Sequence, residues 1–457
     1  MTKQRKQIRL GAHFPGVNNT TVWSDPEAGS QISFESFRRF AQTAERGGFD
    51  FLFLAEGLRL REHQGRIHDL DVVGRPDTFT VLAALAGVTE HIGLAGTINS
   101  TFNEPYDLAR KFATLDHLSA GRAAWNVVTS SDAFTGENFR RGGYLDPSDR
   151  YTRAAATVGA ARRLWDSWLD GDLIADAQEG RFVADPHAGA YAYHDRFFDI
   201  RGRFNVPRSP QGRPVILQAG DSPEGRDFAA ANADAIFTRH STLEAGQEFY
   251  RDVKRRLGQF GRTPEELLIL PGVTFVVGDT DEEAQEQARV IRRQQVSGRT
   301  AINFLEQVWN RDLSAYDPDG PLPDVDPVVG TELLTQGRAS VRRDDALQVA
   351  RRWRERAEAD NLSIRELVIE TTGRQSFIGS PLTVASQLNY FVQNDACDGF
   401  ILVPHLTPGG LDPFVDKVVP LLQEIGVLRT EYSGGTLREN LGLPPQAAAA
   451  EAREEAS

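Results

Sequence analysis

Three short stretches bring together side chains that could handle a ligand. WNVVTSSD at 125–132 ends an apolar run with Asn126, which offers both a donor and an acceptor, and adds the small hydroxyls Thr129, Ser130 and Ser131. Such a set suits the carbonyls and ring nitrogens of a heteroaromatic cofactor, and it also describes a polar strand end that caps the next segment. LAGTINSTFNEP at 94–105 combines small residues with Thr and Asn at a strand end, so that a flat ring could lie against the backbone, although plain barrel packing uses the same composition. QAGDSPEGR at 218–226 turns from the apolar run PVIL into the helical FAAANAD, with Ser222 as N-cap and Pro223 at the first helical position, where no amide is needed. Gly220 and Gly225 leave room for a ligand at the free amides of a positive helix end, which makes a phosphate site or an ordinary capped helix.

Isolated catalytic candidates are few. His13, His240 and His405 each follow an apolar run and could meet a ring or a substrate; they lack the carboxylate spacing of a zinc site, so no metal is expected. Glu56 is a strand-end acid without the clear acidic partner that glycoside hydrolysis needs. GxGxxG opening a βαβ unit, GxxxxGK[ST], HExxH and GxSxG are all missing, which argues against nicotinamide and nucleoside-triphosphate folds.

The elements that would position these residues alternate. Apolar strand segments at 8–14, 51–54, 92–98, 123–129, 215–218, 235–238, 273–277 and 400–404 are interleaved with helical patterns such as SFESFRRFAQTAERGG and PYDLARKFATLDHLSAGR. Eight such units predict an α/β fold, a parallel (β/α)8 TIM barrel whose function sits at the carboxyl ends of the strands. Two long excursions, at about 131–213 and 279–377, would be insertions on that rim. The expected organisation is one barrel over 1–430 and a tail over 431–457 whose low-complexity end is disordered.

The 457 residues allow either two domains or one large barrel with insertions, and 51 Lys and Arg against 64 Asp and Glu argue against nucleic acid and anionic membranes as partners. The single cysteine, Cys397, excludes an internal disulfide. No targeting or membrane-spanning run is visible, and cytoplasm is the expected location.

The blocks FDFLFLAEGL, NEPYDLARKFATLDHLSAGRAAWNVVTSSDAFTGENF, DRY at 149–151, NVPRSPQGRPVILQAGDSPEGR, VGDTDEEA and FIGSPLTVASQL occur in order between about residues 8 and 425. Together they resemble the bacterial luciferase-like flavin-dependent monooxygenases, in the branch of nitrilotriacetate, EDTA and dibenzothiophene sulfone monooxygenases. The resemblance implies a barrel that binds FMN at the rim, the phosphate on Gly220, Asp221, Ser222 and Gly225 with Tyr151, Thr129 and Ser130 nearby. Asn126, Thr97 and Ala95 would then face the isoalloxazine, with a cis peptide at Ala95–Gly96 and Glu56 beside the ring. It further implies a two-component reaction, in which a separate NAD(P)H:flavin reductase supplies reduced FMN and O2 forms a C4a-(hydro)peroxyflavin that oxygenates a small organic substrate. His13, Asn126 and His240 are the residues expected to contact peroxide or substrate.

Substrates of the branch include aminopolycarboxylates, organosulfur compounds and halogenated or aromatic compounds. Arg59, Arg61, His63, Arg66, His68 and Arg75 could meet an anion or pair with the interleaved Glu62, Asp69, Asp71 and Asp77. Phe14, Phe79, Phe102 and Trp125 would instead favour an apolar guest. By analogy with relatives a homodimer or homotetramer is expected. A deazaflavin (F420)-dependent oxidoreductase and a non-catalytic flavin-binding protein are the alternatives.

Overall fold

The computed structural model describes residues 5–18, 20–67, 75–130, 133–139, 145–146, 148–240, 242–330, 334–336, 346–372 and 376–446. Eight parallel strands close on themselves: β1 (Arg9–Phe14), β2 (Phe51–Leu54), β3 (Gly93–Asn99), β4 (Ala123–Val128), β5 (Val215–Ala219), β6 (Ala235–Thr238), β7 (Leu268–Val277) and β8 (Gly399–Leu402). Each pairs with its sequence neighbour, and β8 returns to β1 in the register Arg9 with Gly399, as a (β/α)8 barrel requires.

Strand alternation fills the barrel. Phe51, Phe53, Ala95, Ala124, Val215, Leu217, Ala235, Leu270 and Ile401 point into the lumen, where Phe53 and Phe237 stack at 5.9 Å and 6°. Large rings fit because glycines face them: a Cβ on Gly11 would lie 2.7 Å from the Phe51 ring, and one on Gly272 would lie 2.5 Å from Phe237. Each such buried ring contributes about 1.5 to 3 kcal/mol through the hydrophobic effect.

Helices clothe the outside because their apolar residues recur on one face. In α1 (Phe34–Arg46), Phe37, Phe40, Ala41 and Ala44 are buried at spacings of three and four, and Gly48 at φ +68° ends the segment. α2 (Thr78–Ala86) starts on an Asp77 cap that accepts from the Thr80 amide. α3 (Pro105–Leu118) packs on α4 (Arg150–Trp165), which is followed by two antiparallel hairpins, Leu173–Asp176 with Arg181–Val183 and Ala190–His194 with Asp199–Arg203. α5 (Pro223–Asn232) and α6 (Leu243–Leu257) follow β5 and β6.

Between β7 and β8 the helix Asp281–Gln295 packs on the strands Leu268–Val277 and Ser376–Gly379, and the helices Gly298–Trp309, Ala346–Asp360 and Ile364–Thr372 build a separate apolar cluster around Leu305, Trp309, Ile364 and Val368. The strand Ser376–Gly379 then extends the sheet beside Thr274–Val277. Residues 431–446, read from the sequence as the start of the tail, pack on the barrel floor: Leu437, Leu441 and Leu443 join the lumen cluster, and Arg438 pairs with Asp234.

Candidate functional site

The strand exits bring most of the expected residues into two adjacent groups. The first faces the barrel mouth. β3 and β4 pair in the register Thr97 with Asn126, so both side chains point inward on one level, and Asn126 Nδ2 donates to Thr97 Oγ1 at 2.9 Å. Asn126 is 2% exposed, yet its Oδ1 has no partner among the described residues. Ala95 lies fully buried one level below. The Ala95–Gly96 peptide is trans, contrary to expectation; Thr407–Pro408 is the cis bond among the described residues, and β3 keeps regular pairing with both neighbours through this point. His13 on β1 meets Phe53 edge to face at 5.3 Å, and half-buried Thr129 and Ser130 extend β4 at the rim.

Glu56 folds over the next strand. Its Oε2 accepts from the Asn99 amide at 2.9 Å, and burial pushes its carboxyl up to about 8, against the opposing effect of that amide, with Asp77 raising it further. Near pH 7 Glu56 is therefore mostly protonated. Asn99, carried in the sequence reading only as the Asn of the stretch 94–105, is fully buried; it holds the amides of Thr101 and Phe102 on Oδ1, and its Nδ2 has no partner among the described residues. Its position two residues beyond Thr97, on the same strand face, is the signal that would have singled it out.

The second group forms a cradle at the exit of β5. Ser222 Oγ accepts from the Gly225 amide at 3.2 Å, the cap that the sequence predicts. A Cβ on Gly220 would lie 3.0 Å from Tyr151 Oη, and one on Gly225 would lie 2.8 Å from it, so both glycines are needed beneath the phenol. Thr238 donates to Asp221 Oδ1 at 2.9 Å, tying the turn to β6. Gln218, at the head of the stretch 218–226 read from the sequence, has a buried Oε1 without a partner among the described residues; Arg150, which stacks on Tyr151 at 4.9 Å, was not singled out. Exposed Glu224 folds back on its own amide and the Ser222 hydroxyl, which hold its carboxyl below the usual carboxylate range.

His240, just beyond β6, lies beside this second group. Its ring packs on Phe249 of α6 at 5.2 Å, its Nε2 has no partner among the described residues, and burial lowers its pKa to about 4 although Asp221 opposes this. Burial likewise lowers the pKa of His405, beyond β8, against the opposing charge of Asp25. No three His, Cys, Asp or Glu side chains converge among the described residues as a metal would require, and no described helix is long and apolar enough to cross a membrane.

The basic segment after Glu56 is largely engaged internally. Arg59 pairs with Glu137 at 2.9 Å and Glu62 at 3.4 Å and covers the Phe134 ring at 3.5 Å; His63 Nε2 lies 2.8 Å from Glu306 Oε2. His68, Asp69 and Asp71 fall outside the described residues, as does Ser131. Of the aromatic candidates, Phe102 stands at the rim, stacked on Phe139 at 4.5 Å. Phe14, Phe79 and Trp125 instead pack outward against Phe37 and Phe112, because strand alternation turns Trp125 away from the face that Asn126 occupies.

The donor set fits a flavin mononucleotide: Asn126 Oδ1 and Asn99 Nδ2 offer unmet hydrogen-bonding capacity near the mouth, and a glycine-lined cradle at a helix N-terminus suits its phosphate. Comparisons with known proteins agree. The luciferase-like monooxygenase profile matches residues 16–396. N-acetyl-S-(2-succino)cysteine monooxygenase of Bacillus subtilis is 40% identical over 97% of this chain and 98% of its own length. Nitrilotriacetate monooxygenase component A of Aminobacter aminovorans is 39% identical over 95% and 94%. Among solved structures, riboflavin lyase with modified FMN and riboflavin superposes with a TM-score of 0.77 at 27% identity, covering 96% of this chain and 97% of the other. The F420-dependent and non-catalytic alternatives are not favoured by relatives that are oxygenases over nearly the whole chain. The chain belongs to the luciferase-like monooxygenase family and is a flavin-dependent monooxygenase.

Proposed function

We propose that this chain is the oxygenating component of a two-component system, receiving reduced FMN from a separate NAD(P)H:flavin reductase and oxygenating a small organic substrate. The reductase is supported by the name of the nitrilotriacetate relative, a "component A". A cytoplasmic location fits the single, buried Cys397. Bound reduced FMN supplies the two electrons with which O2 places one oxygen atom on the substrate and releases the other as water.

The protein's part is to bind, orient and keep dry. Gly220 and Gly225 under Tyr151, with Arg150 adding positive charge, would hold the phosphate. Asn126 Oδ1 and Asn99 Nδ2 would meet the polar edge of the ring, and the Phe53–Phe237 stack below them keeps water out of the lumen. Glu56 holds a proton on its carboxyl at neutral pH. The substrate class we favour is organosulfur or aromatic, because Arg59 is already paired whereas the Phe102–Phe139 stack leaves Phe139 48% exposed at the rim.

The reading rests above all on the buried, unpartnered Oδ1 of Asn126 at the mouth. Its test is anaerobic titration with reduced FMN, followed by turnover of thioether, sulfone, aminopolycarboxylate and chlorinated aromatic candidates with NADH and a generic reductase. Binding together with a product one oxygen atom heavier is expected. A protein that ignores FMN in both redox states is not what we propose.

A further inference from the structure

We propose that the apolar cavity behind the exits of β1 and β2 carries dioxygen to the barrel mouth, an inference that rests on the oxygenase reading above. The cavity, a small cleft partly open to solvent, lies between the barrel wall and the helices α1 and α2; its lining is apolar at Phe14, Phe37, Leu54, Ala55, Pro76 and Val81 and polar at Gln31, Arg75 and Thr78. Ala55 also packs against the lumen cluster, so the cavity meets the interior one residue before Glu56. Thr78, at the start of α2, forms another part of the wall and presses on β3, since a Cβ on Gly96 would lie 2.7 Å from Thr78 Cγ2. The cavity thus backs onto the strand that carries Thr97.

Its chemistry selects among small guests. The Arg75 guanidinium is engaged with the carbonyls of Pro15 at 3.0 Å and Glu56 at 3.3 Å, which ties the two loops together beside the cavity. A water molecule needs two to four polar partners to stay in such a place; the polar groups of the lining are Gln31, Arg75 and Thr78, of which Gln31 and Arg75 are already engaged. The free space accommodates about one or two water-sized molecules, too little for an organic substrate. Dioxygen is small and apolar, and it prefers this environment to water. A path through the wall lets it arrive while the mouth stays closed to bulk solvent.

Xenon, which occupies dry apolar cavities, reports the site without cofactor or turnover. Native crystals under xenon pressure should show an atom among Phe14, Leu54 and Val81. In stopped flow, the reduced FMN complex of Val81→Phe should react with O2 about tenfold more slowly than native, equivalent to a barrier about 1.4 kcal/mol higher, at unchanged FMN affinity. Val81→Leu, a milder filling, should fall between the two and serves if the phenylalanine variant does not fold. An empty cavity in xenon-treated native crystals overturns the proposal, as does a folded filling variant that reacts at the native rate. If native protein does not bind reduced FMN at all, the oxygenase reading fails and takes this proposal with it, whatever xenon shows.

Discussion

Asn126 Nδ2 donates to Thr97 Oγ1 at 2.9 Å across β3 and β4, and the same bond fixes Asn126 Oδ1 in a buried position without a partner among the described residues. Leaving a buried acceptor unmet costs about 1 to 3 kcal/mol. A fold tolerates that cost most readily where a ligand supplies the missing donor, and the NH-bearing edge of a flavin is such a ligand.

Replacing Asn126 with leucine tests this directly. The apo protein should keep its stability to within about 1 kcal/mol, since the unmet acceptor disappears together with the Thr97 bond. FMN should bind about tenfold more weakly, the effect of one lost hydrogen bond of about 1.4 kcal/mol. NADH consumption with a reductase should continue while product falls and hydrogen peroxide rises. Urea titration, flavin fluorescence and a peroxide assay read the three effects; unchanged coupling would make Asn126 a structural residue only.

Glu56 predicts an unusual pH dependence. Its folded carboxyl titrates at about 8, above its ordinary value of 4.5, so between these two the folded state holds a proton that the unfolded chain has released. Stability therefore falls as pH rises from about 4.5 to about 8 and then levels off, by up to a few kcal/mol from this group. Glu56→Gln should flatten that slope and be the more stable protein above pH 8. Denaturant midpoints at pH 6 and pH 9 decide the matter: equal pH slopes in native and variant would show that Glu56 is ionised in the fold.

The cradle at β5 makes a prediction of opposite sign for two neighbouring acidic changes. Glu224 curls onto its own amide and the Ser222 hydroxyl, at the helix end that a phosphate would occupy. Removing this competing charge by Glu224→Gln should tighten FMN binding, whereas Ser222→Asp, which fixes a charge at the cap, should weaken it. Both effects should shrink as salt rises. Riboflavin, which lacks the phosphate, should distinguish neither variant from native; if it does, the phosphate does not sit at this helix end.

Most of the barrel was legible because each strand is a short apolar run set between turn residues, and strand periodicity then placed Thr97 and Asn126 on the mouth face. β7 was read from 273, whereas the strand begins at Leu268 and runs through Pro271 and Gly272, residues uncommon inside strands, with Gly272 making room for Phe237. Ser376–Gly379 and the two hairpins after α4 were missed, since short strands with exposed faces carry little period. The strand end that carries His240 was legible, but the direction of its ring was not. Whether it turned to the mouth or to Phe249 depends on how α6 docks, a contact between segments that no local pattern encodes.

Arg438 and Asp234 close the floor opposite the site. Their guanidinium and carboxylate meet in two bonds of 3.0 and 2.9 Å, both residues are buried, and Asp234 Oδ2 also takes the Ile216 amide at 2.8 Å. Burial alone would raise the Asp234 pKa, but the charge and hydrogen bonds of Arg438, with the amide, hold it below the usual carboxylate range. Arg162 also faces Asp234, yet its guanidinium is bound to the backbone and side-chain oxygens of Asn232, so it cannot replace Arg438. Arg438→Met therefore strands a buried carboxylate and should cost about 3 to 5 kcal/mol. Adding Asp234→Leu removes the stranded charge and should recover a large part of that loss. Because the pair lies at the far end of the barrel, FMN affinity of the folded single variant should equal that of native protein. Urea unfolding of the single and double variants decides it: a single-variant cost below about 1 kcal/mol would mean that water reaches Asp234 and that the C-terminal segment does not seal the floor.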